Sequence, residues 1–93
     1  MSVTTVTSAI QQYYNLSVNT GALIISVTSD SPANKAGLRA GDVITKIDGE
    51  DVSTAAELTS AISSHRIGDQ VEIVYYRGSV RSIANATLEE SPS

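Results

Sequence analysis

Few residues in this 93-residue chain could take part in acid–base or nucleophilic chemistry. His65 is the single histidine, and cysteine is absent. A nucleophilic triad needs a serine, a histidine and an acid within mutual reach. No Gly-x-Ser-x-Gly segment or other catalytic motif accompanies His65. We therefore interpret His65 as a side chain at a helix end, where the C-terminal dipole favours its charged form, and we predict no catalytic residue.

An acidic cluster surrounds a predicted turn at Asp48, Glu50 and Asp51. One histidine, no cysteine and no Asp-x-Asp spacing of a calcium loop leave no recognisable set of metal ligands. We interpret the cluster as a solvated turn. The sequence therefore predicts neither a metal ion nor another cofactor.

The charge and hydropathy of the chain exclude two further classes of partner. Its net charge is −4, and its six lysines and arginines are scattered, whereas binding to a phosphate backbone needs clustered cations. We therefore predict no nucleic-acid partner. No apolar run is long enough to span a bilayer, so direct insertion into a membrane is not predicted.

Apolar runs predict the strands that must position any functional residue. Predicted strands cover residues 2–6, 22–27, 43–47, 71–76 and 80–88. The run at 22–27, ALIISV, is apolar almost throughout, which is typical of a strand buried on both faces. An Asp48-Gly49 turn follows the third strand, and a hairpin turn at Arg77-Gly78-Ser79 joins the last two. We interpret Arg77 and Arg81 as surface charges.

Three helices are predicted to begin after residues whose side chains accept a hydrogen bond from a first-turn N–H: Thr7 or Ser8, Ser31 and Thr54. The first buries a stripe of Ile10 and Tyr14, with Tyr13 also interpreted as a cover of the core. The second is a single turn over residues 33–36, ended by Gly37. The third is about ten residues long and is anchored in the core by Leu58 and Ile62.

The order of these elements is strand, helix, strand, short helix, strand, helix, hairpin. It predicts an α+β fold: a small, partly open β-barrel or sandwich of five to six strands capped by two to three helices. We expect one domain over residues 1–88 and a polar C-terminal tail over residues 89–93.

One set of spaced residues resembles the core signature of bacterial PDZ domains: Pro32-Ala33, Ala36-Gly37-Leu38, Gly41-Asp42-Val43-Ile44, Ile47, Gly49 and Val52. Downstream, Leu58, Ile62, Gly68, Val71 and Tyr75-Tyr76-Arg77 continue the pattern. Residues 64–69 and the Tyr-Tyr-Arg ending look most like the HtrA (Do-like) trypsin-fold serine proteases of Gram-positive bacteria. The resemblance extends from about Val6 to Leu88 and implies the permuted bacterial PDZ topology.

The resemblance implies a binding module rather than an enzyme. PDZ domains of that family bind C-terminal or unfolded hydrophobic peptide segments by β-augmentation, in which the peptide adds a strand to a sheet edge. Binding regulates or feeds an attached serine endopeptidase in protein quality control. The resemblance further implies a membrane-anchored or secreted parent protein in the cell envelope, outside the cytoplasm, and we expect the domain alone to be monomeric. Alternatives are the PDZ domain of a Lon-like, site-2 or C-terminal processing protease, or a stand-alone scaffold.

Two segments are expected to border the peptide, and they contain these residues: Val3, Thr4, Thr5, Val6, Glu57, Ala61, Ser64 and His65. The first four form the strand that receives the peptide, and the others lie on the third helix. The family's carboxylate-binding loop precedes that strand, so we expect either that it falls at or before Met1 and is clipped, or that this protein lacks the loop. Gly21-Ala22-Leu23 resembles such a loop superficially and stays an alternative.

Overall fold

A computed structural model describes residues 2–88 of the chain. The elements, in chain order, are β1 (Ser2–Thr5), α1 (Ser8–Tyr14), β2 (Ala22–Ser26), α2 (Pro32–Lys35), β3 (Val43–Ile47), β4 (Glu50–Asp51), α3 (Ala55–Ser63), β5 (Gln70–Arg77) and β6 (Val80–Thr87). The polar tail predicted over residues 89–93 lies outside the described residues. Within the described part of the chain, every helix is too short or too polar to cross a bilayer.

The strands form one antiparallel sheet in the order β1-β2-β3-β5-β6, and β4 pairs with β3 beside this path. Over residues 2–88 the sheet does not close, so β1 and β6 each pair along one edge only. β2 and β3 pair at Ala22 opposite Ile44 and Leu23 opposite Val43, and Ile24 extends the contact through backbone bonds with Gly41 and Asp42. β5 and β6 pair over their whole length. The predicted α+β fold with a partly open sheet is confirmed.

Each helix begins at the type of residue that the sequence predicted. The Thr7 hydroxyl accepts from the N–H of Ile10 at 3.2 Å, and the Thr54 hydroxyl accepts from the N–H of Glu57 at 3.0 Å. Ser31 caps α2 in the same way, and Pro32 occupies its first turn. Such caps satisfy N–H groups that have no partner inside the helix.

The core consists of two clusters on opposite faces of the sheet, and β2 contributes to both. Ala22 and Ile24 lie in the first cluster, together with Leu58 of α3. Leu23 lies in the second, which is partly covered by Ile10 of α1. Successive side chains of a strand point to opposite faces, so β2 is buried on both faces, as predicted, up to Ile24.

Helix α1 covers the core less than the sequence predicted. Ile10 is half-buried, but the Tyr14 side chain is 46% exposed and that of Tyr13 is 81% exposed. The reason is that the helix ends at Asn15, whose left-handed backbone turns the chain. Leu16 then packs against the second cluster. The prediction that Tyr13 and Tyr14 cover the core is therefore wrong.

The Arg77 side chain is 41% exposed, as expected of a surface charge, but it also pairs with a buried carboxylate. Its Nε and Nη2 donate to the two carboxylate oxygens of Asp42, at 2.9 and 2.8 Å, and Asp42 is only 2% exposed. Nη2 also donates to the carbonyl of Gly37 at 2.8 Å. The hydrogen bond to Asp42 raises the pKa of Arg77. This ion pair fastens the end of β5 to the segment between α2 and β3.

Candidate functional site

Strand β1 presents a free edge. It pairs with β2 alone among the described residues, and just beyond it the N–H of Val6 donates to the carbonyl of Gly21 at 2.9 Å. The polar groups of successive strand residues alternate in direction, so those of Thr5 and Val3 point away from β2. A row of unpaired N–H and C=O groups at an edge is a template for one more strand.

The side chains of β1 divide between the two faces of the sheet. Thr5 points towards α3, because its hydroxyl accepts from the N–H of Ala55 at 3.0 Å. Val3 points the same way and is packed against the first cluster. Thr4 and Val6 occupy the opposite face, and Val6 is 5% exposed, in the second cluster. The structure therefore takes the Val6 side chain away from the predicted groove.

Helix α3 lies beside this edge and is anchored by Leu58, which is 1% exposed. At about 100° per residue, Glu57 and Ala61 fall on one flank of the anchor. Thr59 and Ile62 fall on the other flank. Ile62 is half-buried and packs against the same cluster as Val3.

The C-terminal end of α3 is fastened to the turn between β3 and β4. The Nε2 atom of His65 lies 2.6 Å from Oδ2 of Asp48, and its Nδ1 lies 2.8 Å from the carbonyl oxygen of Ala61. The other oxygen of Asp48 accepts from the N–H of Glu72 on β5 at 2.7 Å. The Asp48 carboxylate thus joins α3 to two strands.

These contacts move both pKa values in the direction that favours charge. The hydrogen bond to the Ala61 carbonyl, and then the bond to Asp48, raise the pKa of His65. The hydrogen bond from the Glu72 N–H, and then the interaction with His65, lower the pKa of Asp48. Hydrogen bonds to the charged form of a group favour that form. His65 therefore keeps its proton to higher pH than in water, and Asp48 stays ionised to lower pH.

The four residues predicted on the third helix lie in different surroundings. Glu57 is exposed in the first turn, and Ala61 is half-buried. Ser64 is the C-cap and is exposed, and its hydroxyl donates to the carbonyl of Ala61 at 2.7 Å. His65 is turned to Asp48. The structure brings Val3 and Thr5 to the face that carries α3, whereas Thr4 lies on the opposite face with Val6. Contact of any of these residues with a peptide stays a prediction.

The segment that resembled a carboxylate-binding loop is buried. Gly21 has a backbone φ of +126°, and a Cβ at this position would lie 2.7 Å from the carbonyl oxygen of Ile44. Ala22 and Leu23 are 0% and 1% exposed. Because a binding loop must offer free N–H groups to a ligand, this alternative is excluded, and Gly21 is instead the close-packed start of a core strand.

Asp48 is the residue of this region whose role the sequence did not reveal. The Asp48-Gly49 pair correctly predicted the turn, and both residues have positive φ, as a tight hairpin turn requires. The contact with His65 joins residues 17 positions apart. No local pattern reports such a contact, so the sequence alone predicts a solvated carboxylate.

A concavity of about 700 Å³ lies away from this edge, and Ser17, Thr45, Tyr76 and Arg81 are among its lining residues. None of its lining residues belongs to β1 or α3. It is therefore a separate surface, and ligand binding there is distinguishable from binding beside β1.

Comparison with known proteins gives a consistent result. Residues 2–88 match the family described as "PDZ domain". The chain is 44% identical over 77 residues to the serine protease Do-like HtrA of Lactococcus lactis subsp. cremoris (strain MG1363), which covers 83% of this chain and 19% of the relative. It is 32% identical over 88 residues to the probable periplasmic serine endoprotease DegP-like of Marinomonas sp. (strain MWYL1), covering 95% of this chain and 19% of the relative.

Two solved structures resemble the whole domain. The HtrA-type protease AlgW with a decapeptide has a TM-score of 0.90 at 26% identity, over 99% of this chain and 28% of that one. The HtrA3 PDZ domain bound to a phage-derived ligand (FGRWV) has a TM-score of 0.83 at 21% identity, over 94% of this chain and 79% of that one. The chain spans about a fifth of the length of these curated relatives. The resemblance read from the sequence is confirmed.

Proposed function

Because the chain belongs to the PDZ domain family, we propose that it binds the C-terminal or unfolded hydrophobic segments of other polypeptides by β-augmentation. The observation that carries the proposal is the free outer edge of β1 beside α3. An added strand satisfies the outward polar groups of the edge, and its side chains reach the helix.

The main-chain part of the proposed site is small and specific. The N–H and C=O groups of Val3 and Thr5 point outwards and are available to pair with a peptide strand. These main-chain bonds do not depend on peptide sequence. Val3 and Ile62, both half-buried against the first cluster, give the groove an apolar floor, so a hydrophobic peptide side chain is preferred.

The helical wall is proposed to be the flank of α3 that carries Thr59 and Ile62. The opposite flank leads from Ala61 to His65, which is occupied by Asp48 of the β3–β4 turn. In the sheet order, β3 and β1 lie on opposite sides of β2. The flank with Ala61 and His65 faces the turn after β3, so the flank with Thr59 and Ile62 faces β1. The residues predicted earlier, Glu57 and Ala61, make the competing wall.

The solved relatives support a peptide as the ligand. AlgW is described with a decapeptide, and the HtrA3 domain is described with the ligand FGRWV. Only a short segment of peptide fits along a four-residue strand. The buried area is then at the low end for protein interfaces, and we expect weak, reversible binding.

The parent protein is proposed to be a serine endopeptidase that this domain regulates or supplies with substrates in protein quality control. The curated relatives carry serine protease in their names and are about five times longer than this chain. The DegP-like relative is described as periplasmic, so we place the domain outside the cytoplasm. We propose that the domain itself contains no catalytic site and acts as a monomer.

Titration of the ¹⁵N-labelled domain with a short peptide ending in aliphatic residues tests the binding mode. The N–H resonances of Val3 and Thr5 should move most, with those of the helical wall. The same peptide with an amidated C-terminus separates recognition of a terminal carboxylate from recognition of an internal segment. Movements centred on Thr45, Tyr76 and Arg81 would instead locate the ligand in the separate concavity.

Two matched substitutions on α3 decide between the competing walls. Thr59 and Glu57 are both exposed and lie on opposite flanks, so Thr59→Arg and Glu57→Arg place the same side chain on either side of the anchor. Thr59→Arg should weaken peptide binding about tenfold or more by filling the groove, while Glu57→Arg changes it less than about twofold. The reverse order would restore the wall predicted from the sequence, and equal small effects would remove α3 from the site.

A further inference from the structure

Each nitrogen of the His65 ring has its shortest contact with an oxygen that can only accept a hydrogen bond. The Ser64 hydroxyl also lies 3.4 Å from Nδ1, but its proton is donated to the Ala61 carbonyl at 2.7 Å. The Ala61 carbonyl faces Nδ1, and the Asp48 carboxylate faces Nε2. Asp48 also accepts from the Glu72 N–H, which fits its ionised form. Two acceptors require two N–H donors, and only the doubly protonated imidazolium has both. The contacts seen here therefore belong to the charged ring.

Acidic groups from two neighbouring segments act on this ring in the same direction. Asp48 faces it from the β3–β4 turn, and Asp69 acts on it from the segment between α3 and β5. Strand β5 contributes the Glu72 N–H, which holds the Asp48 carboxylate in place. Arg66, the adjacent cation, gives its backbone N–H to Asp69 at 2.9 Å. Both nearby acids favour the protonated ring.

We propose that His65 is a positioning residue whose protonation holds α3 in the geometry that accepts a peptide, so that peptide binding by this domain depends on pH. The proposal rests on the binding function proposed above and adds its regulation. In the charged state the ring ties the end of α3 to the turn that carries Asp48. When the ring loses a proton, one of its nitrogens has no N–H to donate. That nitrogen still faces an acceptor oxygen, at 2.8 Å for Nδ1 or 2.6 Å for Nε2.

The position of this contact on α3 explains how it acts on the groove. The first turn of α3 is held to β1 through the hydrogen bond from Ala55 to Thr5. The last turn is held through His65, whose own N–H donates to the carbonyl of Ile62 at 3.1 Å. Ile62 belongs to the proposed wall. Release of His65 loosens the wall beside Val3, and a groove that must be ordered during binding has lower affinity.

The sign of the pH dependence follows from linkage. The pKa of His65 is raised above its ordinary value of about 6.5 by the Ala61 and Asp48 contacts. The stabilising contact is complete below that ordinary value and is lost as the pH rises through the raised pKa. Peptide affinity should therefore be highest in mildly acidic solution and fall towards alkaline pH. His65 is the single histidine, and no other side chain type ordinarily titrates in this range.

The test compares the Kd of one hydrophobic peptide at mildly acidic and mildly alkaline pH for three proteins. For the natural sequence we expect Kd to rise about threefold or more as the proton is lost. His65→Gln keeps every other titrating group and should show a flat profile near the weaker value. Asp48→Asn keeps an oxygen for the Glu72 N–H and tolerates the left-handed backbone. It removes the negative charge, so its Kd should also be independent of pH and close to the weaker value. Equal pH dependence in all three, or none in the natural sequence, overturns the proposal.

A second measurement makes the proposal falsifiable without a peptide. The Glu72 N–H shift reports the Asp48 carboxylate, and in the free protein it should titrate together with the His65 ring protons. This coupling should vanish in His65→Gln. If the coupling is present but no peptide binds at any pH, the proposed function fails while the contact stands. If the Glu72 N–H does not follow the ring, the positioning role of His65 is refuted whatever the peptide does.

Discussion

Loss of the Arg77 guanidinium is expected to destabilise the domain more than loss of Arg81, an exposed cation without a buried partner among the described residues. Asp42 is 2% exposed, and among the described residues its carboxylate keeps only the N–H of Arg39, at 2.9 Å, once Arg77 is replaced by Met. The oxygen that faced Nε is then buried without a donor. A buried charge that loses its partner is strongly destabilising.

The magnitude lies between two limits. Removal of one partner from a fully buried pair costs about 3–5 kcal/mol, whereas an exposed pair contributes at most about 1 kcal/mol. The Arg77 side chain is 41% exposed, so water replaces part of what is lost. We therefore expect Arg77→Met to lower the free energy of unfolding by about 2–3 kcal/mol, which corresponds to roughly 10–20 °C in Tm for a domain of this size.

Urea denaturation followed by circular dichroism measures this difference, and a double-mutant cycle assigns it. Asp42→Asn removes the buried charge, so Arg77→Met in that background should cost at least about 1 kcal/mol less than it does alone. Arg81→Met is the matched control, because Arg81 is exposed on β6, and it should stay within about 0.5 kcal/mol of the natural sequence. The reasoning is refuted if Arg77→Met matches this control or if the two substitutions are additive.

Four other substitutions probe the local devices of the fold. Gly21→Ala should lower the free energy of unfolding by about 3 kcal/mol or more, because the backbone has a positive φ and the new Cβ would clash with the Ile44 carbonyl oxygen. Gly37→Ala has the positive φ but open space around the Cβ, and should cost about 1–2 kcal/mol by chemical denaturation. Thr54→Ala removes the hydroxyl that caps α3 and should cost about 1 kcal/mol, and rescue by Ser but not by Val would assign the loss to the cap. Tyr13→Ser should change Tm by less than about 4 °C, because the ring is 81% exposed; a larger loss would return Tyr13 to the core.

Much of the fold could be predicted because its devices are local. A capping hydroxyl acts on an N–H three residues away, as Ser31 and Thr54 do, and an Asp-Gly turn needs only its own two residues. The periodicity of β5 and β6 likewise depends on near neighbours. The predicted burial of Tyr14 is wrong because helical spacing alone does not show where a helix ends. The left-handed Asn15 that ends α1 carries no signal in that spacing.

The site was harder to predict because it depends on contacts between distant residues. Asp42 meets Arg77 across 35 positions, and Thr5 meets Ala55 across 50. Leu58 was correctly predicted as the anchor of α3. Which flank of the anchor faces β1 depends on how the helix is rotated against a strand at the other end of the chain. That rotation leaves no mark in local periodicity, so Glu57 and Thr59 could not be distinguished.

The pairing of β1 along a single edge has a further consequence for the free energy of the proposed peptide binding. β1 is four residues long and its register shifts between Ser2 and Val3, whereas β5 and β6 are paired throughout. Opening of β1 should therefore precede global unfolding, and its amide protons should exchange with solvent first. In the proposed binding mode, a peptide supplies β1 with a second neighbour, and part of the binding free energy orders that strand. Peptide recognition would then complete the folding of the domain, and strengthening the β1–β2 pairing should tighten binding with no new contact to the ligand.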